Sequence, residues 1–220
     1  MSSQQRIKEI FVYGTLMSGQ LYSEFMDRGD LKLLCPARCR GRPCEVIVMP
    51  ELIPVLSKSD IESLVTRTAQ RISSDYRHHD LILIGVLKGA FVFLSDLVRC
   101  MDVPAQIDFI RAFSYGSGDS SSEDIRLTKG IELGIKNKDV LIVEDIVDTG
   151  LTLKYLIDYL RSYHPKSLKI CAFIDKHERR KTDVTVDYCC YEAAEGFLVG
   201  YGLDYGEDYR YLSGIYRLKQ

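Results

Sequence analysis

The chain has 220 residues, a formal net charge of −2 and a hydrophobic share of 46%. That composition supplies a packed core and excludes a disordered chain, and the near-balanced charge argues against a general polyanion binder. The length fits one domain with an appendage, or two small domains.

Cysteines at positions 35, 39, 44, 100, 171, 189 and 190 are odd in number and irregular in spacing. With no recognisable leader sequence, they point to reduced thiols in a cytosol. Cys35, Cys39 and Cys44 lie close together, but no His or fourth Cys completes a zinc pattern. The longest apolar stretch, Leu81 to Leu94, contains Lys88 and falls short of the roughly 18 residues that a membrane span requires. A soluble, cytoplasmic protein is therefore expected.

In chain order, Ile10-Phe11-Val12-Tyr13-Gly14-Thr15-Leu16 reads as a strand running into a turn. Phe11 to Leu16 resembles the opening strand and substrate loop of gamma-glutamylcyclotransferase-like proteins, and Cys35 to Arg42 loosely matches a second strand of that fold. The likeness covers about thirty residues and lacks the rest of such a domain. It implies a truncated, non-catalytic extension over residues 1–42, with a boundary at Arg40-Gly41-Arg42-Pro43 and a main domain over 43–220.

From Val55 onward the order is that of an α/β domain. Ser59 or Asp60 is expected to cap a helix that carries Ile61, Leu64, Val65 and Ile72 on one side. His78-His79 ends it in a solvated bend. Leu81 to Leu87 is a buried strand, followed by Lys88-Gly89-Ala90 and a helix through Arg99. Ala105 to Phe113 is another strand, running into the small, polar Ser114-Tyr115-Gly116-Ser117-Gly118-Asp119-Ser120-Ser121-Ser122. That segment has the composition of a mobile loop or a hairpin tip.

The most informative stretch is Asp139 to Tyr163. Val140-Leu141-Ile142-Val143 is a run buried on both faces of a parallel sheet. Leu153, Leu156, Ile157 and Leu160 recur as one face of a helix. Between them, Glu144 to Thr152 makes a strand-to-helix turn with three carboxylates and two threonines. Thr149 and Thr152 flank Gly150 at the helix start, where hydroxyls and N–H groups can converge on a phosphate. Glu144 and Asp145 suit neutral hydroxyls or a hard cation instead. Leu168 to Ile174 is a further buried strand, followed by the basic run Lys176-His177-Glu178-Arg179-Arg180-Lys181. The chain then closes on Phe197-Leu198-Val199-Gly200-Tyr201-Gly202-Leu203-Asp204-Tyr205-Gly206-Glu207-Asp208-Tyr209-Arg210.

Val143 to Gly150 resembles the phosphoribosyl-pyrophosphate (PRPP) motif of the type I phosphoribosyltransferases. Leu87 to Ala90, Ser114-Tyr115 and Phe197 to Arg210 resemble, in the same order, motifs of the hypoxanthine-guanine members of that family. The likeness spans about residues 43–220. It implies an α/β fold with a mainly parallel twisted sheet flanked by helices, and a small hood over the active site. It also implies transfer of the phosphoribosyl group from PRPP to hypoxanthine, guanine or both, giving IMP or GMP and pyrophosphate, with Mg2+ as cofactor. A homodimer or homotetramer is implied as well.

Residue by residue, the resemblance implies that Glu144 and Asp145 orient the ribose hydroxyls, directly or through the metal, and that Thr149, Gly150 and Thr152 hold the 5-phosphate. Asp148 becomes the general base at N7 of the purine. Lys88 and Gly89, on a Leu87–Lys88 peptide that can be cis, hold pyrophosphate together with Arg210. Ala90 stands where the family has a second glycine. Ser114 and Tyr115 begin a lid that would exclude water. Lys176 contacts the 6-oxo group and would reject a 6-amino base. Arg180 corresponds more loosely to a supporting arginine. Phe197 stacks on the purine, Leu198 meets its edge near the 2-position, and Asp204 is associated with magnesium. Tyr201, Tyr205, Tyr209, Tyr211 and Tyr216 are expected mostly to fill core and subunit contacts. A xanthine-preferring enzyme stays open, as does a non-catalytic PRPP- or nucleotide-sensing regulator of the same fold. The N-terminal piece has neither the basic charge nor the two-helix pattern of a helix-turn-helix.

Overall fold

The structure is a computed structural model that describes residues 51–115 and 124–219, together with short strands at 9–12, 32–33 and 46–48. The chain divides into a unit of residues 1–53 with 218–220 and a unit of residues 54–217. In the first, β1 (Glu9–Val12) pairs parallel with β2 (Lys32–Leu33) and antiparallel with β3 (Val46–Val48). The expected substrate loop at Gly14–Leu16 and the second strand at Cys35–Arg42 lie outside the described residues.

The second unit is built on a sheet whose strands take the order β10-β9-β8-β5-β6-β7. These are β5 (Leu81–Val86), β6 (Ala105–Tyr115), β7 (Asp124–Lys129), β8 (Asp139–Val147), β9 (Ser167–Lys176) and β10 (Tyr188–Ala193). Every pairing in it is parallel except β6 with β7, which run antiparallel with a register shift at Arg111/Ala112. A second sheet has the order β11-β12-β4, from β4 (Leu52–Leu56), β11 (Leu198–Val199) and β12 (Ile215–Leu218).

The apolar runs alternate between the two faces of the large sheet, which is why both the odd and the even residues are hydrophobic. Leu81, Leu83, Leu141, Val143, Cys171 and Phe173 belong to one core cluster. They share it with α1 (Lys58–Asp75) and α2 (Phe91–Cys100), where the Phe93 and Phe173 rings meet at 5.3 Å. Ile82, Ile84, Val140, Ile142, Ile170 and Ala172 face the other way, onto α3 (Leu151–Arg161). The expected stripe Leu153, Leu156, Ile157 and Leu160 is the set that α3 buries.

The cap of α1 is Ser57, not Ser59 or Asp60. The Ser57 hydroxyl accepts from the Asp60 N–H, and the Asp60 carboxylate accepts from the Ser57 N–H, so Asp60 is the far half of a capping box. His78 and His79 lie in the exposed bend after α1 as expected, and His79 has a partner there. Its Nδ1 lies 2.9 Å from Asp139 at the start of β8, where Lys166 at 3.0 Å and the Ser167 hydroxyl at 2.6 Å reach the same carboxylate. Burial pushes that carboxyl up, but Ser167, His79 and Lys166 outweigh it and hold it down at about 2.

Among the described residues, Cys100, Cys171, Cys189 and Cys190 are free, and burial pushes the Cys190 thiol up to about 12. No helix among the described residues is long and apolar enough to cross a membrane. Of the C-terminal tyrosines, Tyr201 and Tyr209 are core residues as expected. Tyr205 and Tyr211 are 55% and 80% exposed.

Candidate active site

Strand order places the site. The chain leaves β5 through α2 toward β6 on one side, and leaves β8 through α3 toward β9 on the other. The adjacent carboxyl ends of β5 and β8 therefore form the topological switch point, where a crevice opens in parallel sheets. Leu87 to Ala90 emerges at one lip and Glu144 to Thr152 at the other.

The Leu87–Lys88 peptide is cis. Gly89 is packed against Asp145 so closely that a Cβ there would stand 1.7 Å from Oδ2. Ala90 has φ −67° and ψ −10° and is fully buried at the start of α2, an ordinary helical conformation that needs no glycine. From the other side Gly202, at φ +98°, presses on the Gly89 carbonyl. Gly202 and Arg210 are mutually bonded: the Gly202 N–H donates to the Arg210 carbonyl at 3.0 Å, and Arg210 donates to the Gly202 carbonyl at 2.8 Å. One chain of contacts thus joins Asp145, Gly89, Gly202 and Arg210.

Cations and carboxylates interleave along this chain. Arg210 lies 2.8 Å from Asp204 and 3.3 Å from Glu207, and Lys88 lies 2.9 Å from Glu207. Asp204 also accepts the Glu207 N–H at 2.9 Å. Burial pushes both Glu144 and Asp145 up. Glu144 is raised further by the charge and hydrogen bond of Asp145 beside it, whereas its own hydrogen bond and the Arg210 charge pull Asp145 back. Two crowded carboxylates of this kind supply the oxygen ligands that suit a hard divalent cation. Among the described residues no group of three or more His, Cys, Asp or Glu side chains is arranged to hold a metal. Such an ion would have to complete its shell with water or substrate oxygens.

Thr149, Gly150 and Thr152, the expected phosphate-binding residues, sit at the start of α3. Gly150 has φ +79°, and the loop is braced from behind by the segment after β9: the Lys181 N–H donates to the Thr149 carbonyl at 2.9 Å and the Thr182 hydroxyl to the same oxygen at 3.4 Å. Thr152 lies in the first turn of α3, where free N–H groups and the helix dipole favour an anion. Asp148 faces Arg179 at 3.4 Å through Oδ2, while its Oδ1 is enclosed with no hydrogen-bond donor among the described residues.

Arg180 connects this loop to the end of β9. Its guanidinium donates to the carbonyls of Asp148, Val147, Val184 and Lys176, and pairs with the Asp175 carboxylate. Lys176 is buried, with its ammonium 3.0 Å from Glu178. Phe197 is 42% exposed and meets Tyr205 edge-on at 5.6 Å, and Leu198 is buried beside it. The backbone of Ser114 and Tyr115 ends β6. Their side chains, and the remainder of the expected lid at 116–123, lie outside the described residues. Sequence reading missed Glu207, Glu178, Gly202 and Thr182. The acid–acid–base spacing of three at Asp204, Glu207 and Arg210 was the available signal for the first.

The model of the phosphoribosyl transferase domain matches residues 55–206. A hypoxanthine-guanine phosphoribosyltransferase of Aquifex aeolicus is 45% identical over 166 residues, which cover 75% of this chain and 93% of the relative. The Bacillus subtilis protein of the same name is 39% identical, over 75% of this chain and 92% of its own. Among solved structures, a hypoxanthine phosphoribosyltransferase from Staphylococcus aureus superposes with a TM-score of 0.73 at 39% identity, covering 76% of this chain and 90% of that one. With a family match over most of its length and relatives at 39–45% identity that it covers to nine-tenths or more, the chain belongs to the phosphoribosyltransferase family, in its hypoxanthine and hypoxanthine-guanine group.

Proposed function

We propose that this protein is a purine-salvage enzyme that transfers the 5-phosphoribosyl group of PRPP to hypoxanthine, guanine or both, releasing IMP or GMP and pyrophosphate. The observation that supports the reading is a set of contacts at the carboxyl ends of the strands. Gly89 and Gly202 join Asp145 to Arg210, and Arg180 joins the carbonyls of Asp148 and Lys176.

In this reading Thr149, Gly150 and Thr152 hold the 5-phosphate, and Glu144 and Asp145 orient the ribose hydroxyls. Lys88, Gly89 and Arg210 take the pyrophosphate, Arg210 as a planar fork suited to phosphate oxygens. Lys176 donates to the 6-oxo oxygen. Phe197 stacks on the ring, and Leu198 borders its edge. Asp148, whose Oδ1 has no donor among the described residues, takes the N7 proton as positive charge develops on the sugar. Ser114 and Tyr115 open the lid. Catalysis then rests on aligning base, anomeric carbon and leaving group and on excluding water.

Mg2+ on Glu144 and Asp145 would neutralise charge on the donor when bound. Asp204 is a weaker candidate ligand, since Arg210 and the Glu207 N–H already engage its oxygens. Residues 43–220 form the catalytic domain in this reading, and 1–42 a non-catalytic extension. The exposed Phe91 and Tyr211, on the rim of a cavity of about 470 Å³, support a homodimer or homotetramer. The setting is the cytoplasm.

Incubation with PRPP, Mg2+ and each of hypoxanthine, guanine, xanthine and adenine tests the assignment. Nucleotide formation from hypoxanthine or guanine is expected, and none from adenine. A preference for xanthine, or donor binding without turnover, would replace it.

A further inference from the structure

Lys88 and Arg210 stand on different loops, yet one carboxylate reaches both. Glu207 lies 2.9 Å from the Lys88 ammonium and 3.3 Å from the Arg210 guanidinium. We propose that Glu207 is an internal counterion that occupies the pyrophosphate-binding cations in the free enzyme and gives way to the pyrophosphate group of the donor. The proposal rests on the reading of Lys88 and Arg210 as pyrophosphate-binding residues.

The geometry separates what stays from what leaves. Arg210 is only 18% exposed and remains anchored by the Gly202 carbonyl and by Asp204 when Glu207 is removed. Lys88 sits on a loop fixed between Asp145 and Gly202. Glu207 is different: its backbone is held in the Tyr205–Asp208 turn, but its side chain is 62% exposed and can swing into water. Its contacts are therefore those of a surface ion pair, weak enough for a polyanion to displace. The hydrogen bonds from Lys88 and Arg210 hold its carboxyl below the usual range, so it is charged wherever the enzyme works.

A carboxylate in this position has two effects. It keeps two neighbouring cations from repelling one another in the empty site. It also competes with the incoming pyrophosphate and replaces that anion as it departs, which speeds product release. A residue that pre-organised Lys88 and Arg210 for the ligand would act in the opposite direction, so the sign of the effect decides between the two.

The test is calorimetric binding of inorganic pyrophosphate with Mg2+ to the full-length protein, with the KM for PRPP measured in parallel. Glu207→Gln removes the charge and keeps the shape. It should tighten pyrophosphate and lower the KM for PRPP by about three- to tenfold, the range two weak ion pairs supply, and it should slow pyrophosphate dissociation. Glu207→Asp should fall between this variant and the parent. Unchanged or weaker binding in Glu207→Gln overturns the proposal. So does an equal gain in Asp208→Asn, which would reduce the effect to a general field of negative charge. Lys88→Ala and Arg210→Ala test the underlying reading separately: if both bind pyrophosphate as tightly as the parent, that reading fails whatever Glu207→Gln does.

Discussion

Gly202 lies directly on the carbonyl of Gly89, where a Cβ would stand 2.3 Å from the oxygen. The loop after β5 and the loop before β12 are thereby locked backbone to backbone, more than a hundred positions apart in the chain. Neither residue can acquire a side chain without moving a main-chain or carboxylate partner.

Gly202→Ala meets both that clash and the φ of +98°, and is expected to destabilise the fold by about 2–3 kcal/mol in denaturant unfolding. Gly89→Ala should have a different signature. Its Cβ would collide with Asp145, so donor binding should weaken by at least about tenfold, because small displacements of positioned groups are costly. Comparing unfolding midpoints with the KM for PRPP separates the two variants.

Asp148→Asn keeps the size of the side chain and removes its capacity to take a proton. Conversion of base to nucleotide should slow by about 10²- to 10⁴-fold while PRPP binds as before. Unchanged turnover would remove Asp148 from that role.

On the role proposed for Lys176, Lys176→Ala leaves the purine 6-position without its donor. Discrimination between 6-oxo and 6-amino purines, measured as the ratio of kcat/KM for hypoxanthine and adenine, should fall by at least about tenfold. If adenine stays as strongly rejected, the selectivity lies elsewhere.

Asp139, at the opposite end of β8 from the site, sets an acid limit on stability. Its folded-state pKa is depressed from 3.8 to about 2, so the stabilisation it brings is complete above about pH 4 and is lost as pH falls through about 2. At roughly 1.4 kcal/mol per unit, Asp139→Asn should cost about 2 kcal/mol at neutral pH. The gap between the variant and the parent should close across that acid window in equilibrium unfolding, with hypoxanthine turnover at neutral pH retained.

What was legible in the sequence was what local periodicity encodes. Leu153, Leu156, Ile157 and Leu160 announce a buried helix face, and Val140 to Val143 a strand covered on both sides; both are seen. β7 and β10 went unread. β7 alternates half-buried and exposed residues without an apolar run, as an edge strand does, and β10 is written in Tyr and Cys rather than Val and Ile. The cap at Ser57 was displaced by two or three residues because Asp60, a good cap by composition, serves as its partner. The contacts of Arg180 could not be read at all. Donation to main-chain carbonyls leaves no trace in the identities of Val147, Asp148, Lys176 and Val184.

That same guanidinium constrains how the enzyme can be altered. Arg180 belongs to the segment that carries Lys176, yet it also fixes the carbonyls of Val147 and Asp148, where β8 passes into the loop before α3. A transplanted 176–184 segment from a relative of different selectivity would bring its own anchor with it, or leave the loop after β8 unmoored. On the roles proposed for Phe197 and Leu198, new base preferences are more accessible through single replacements there than through exchange of the 176–184 segment, and chimaeras cut within it should lose affinity for both substrates together.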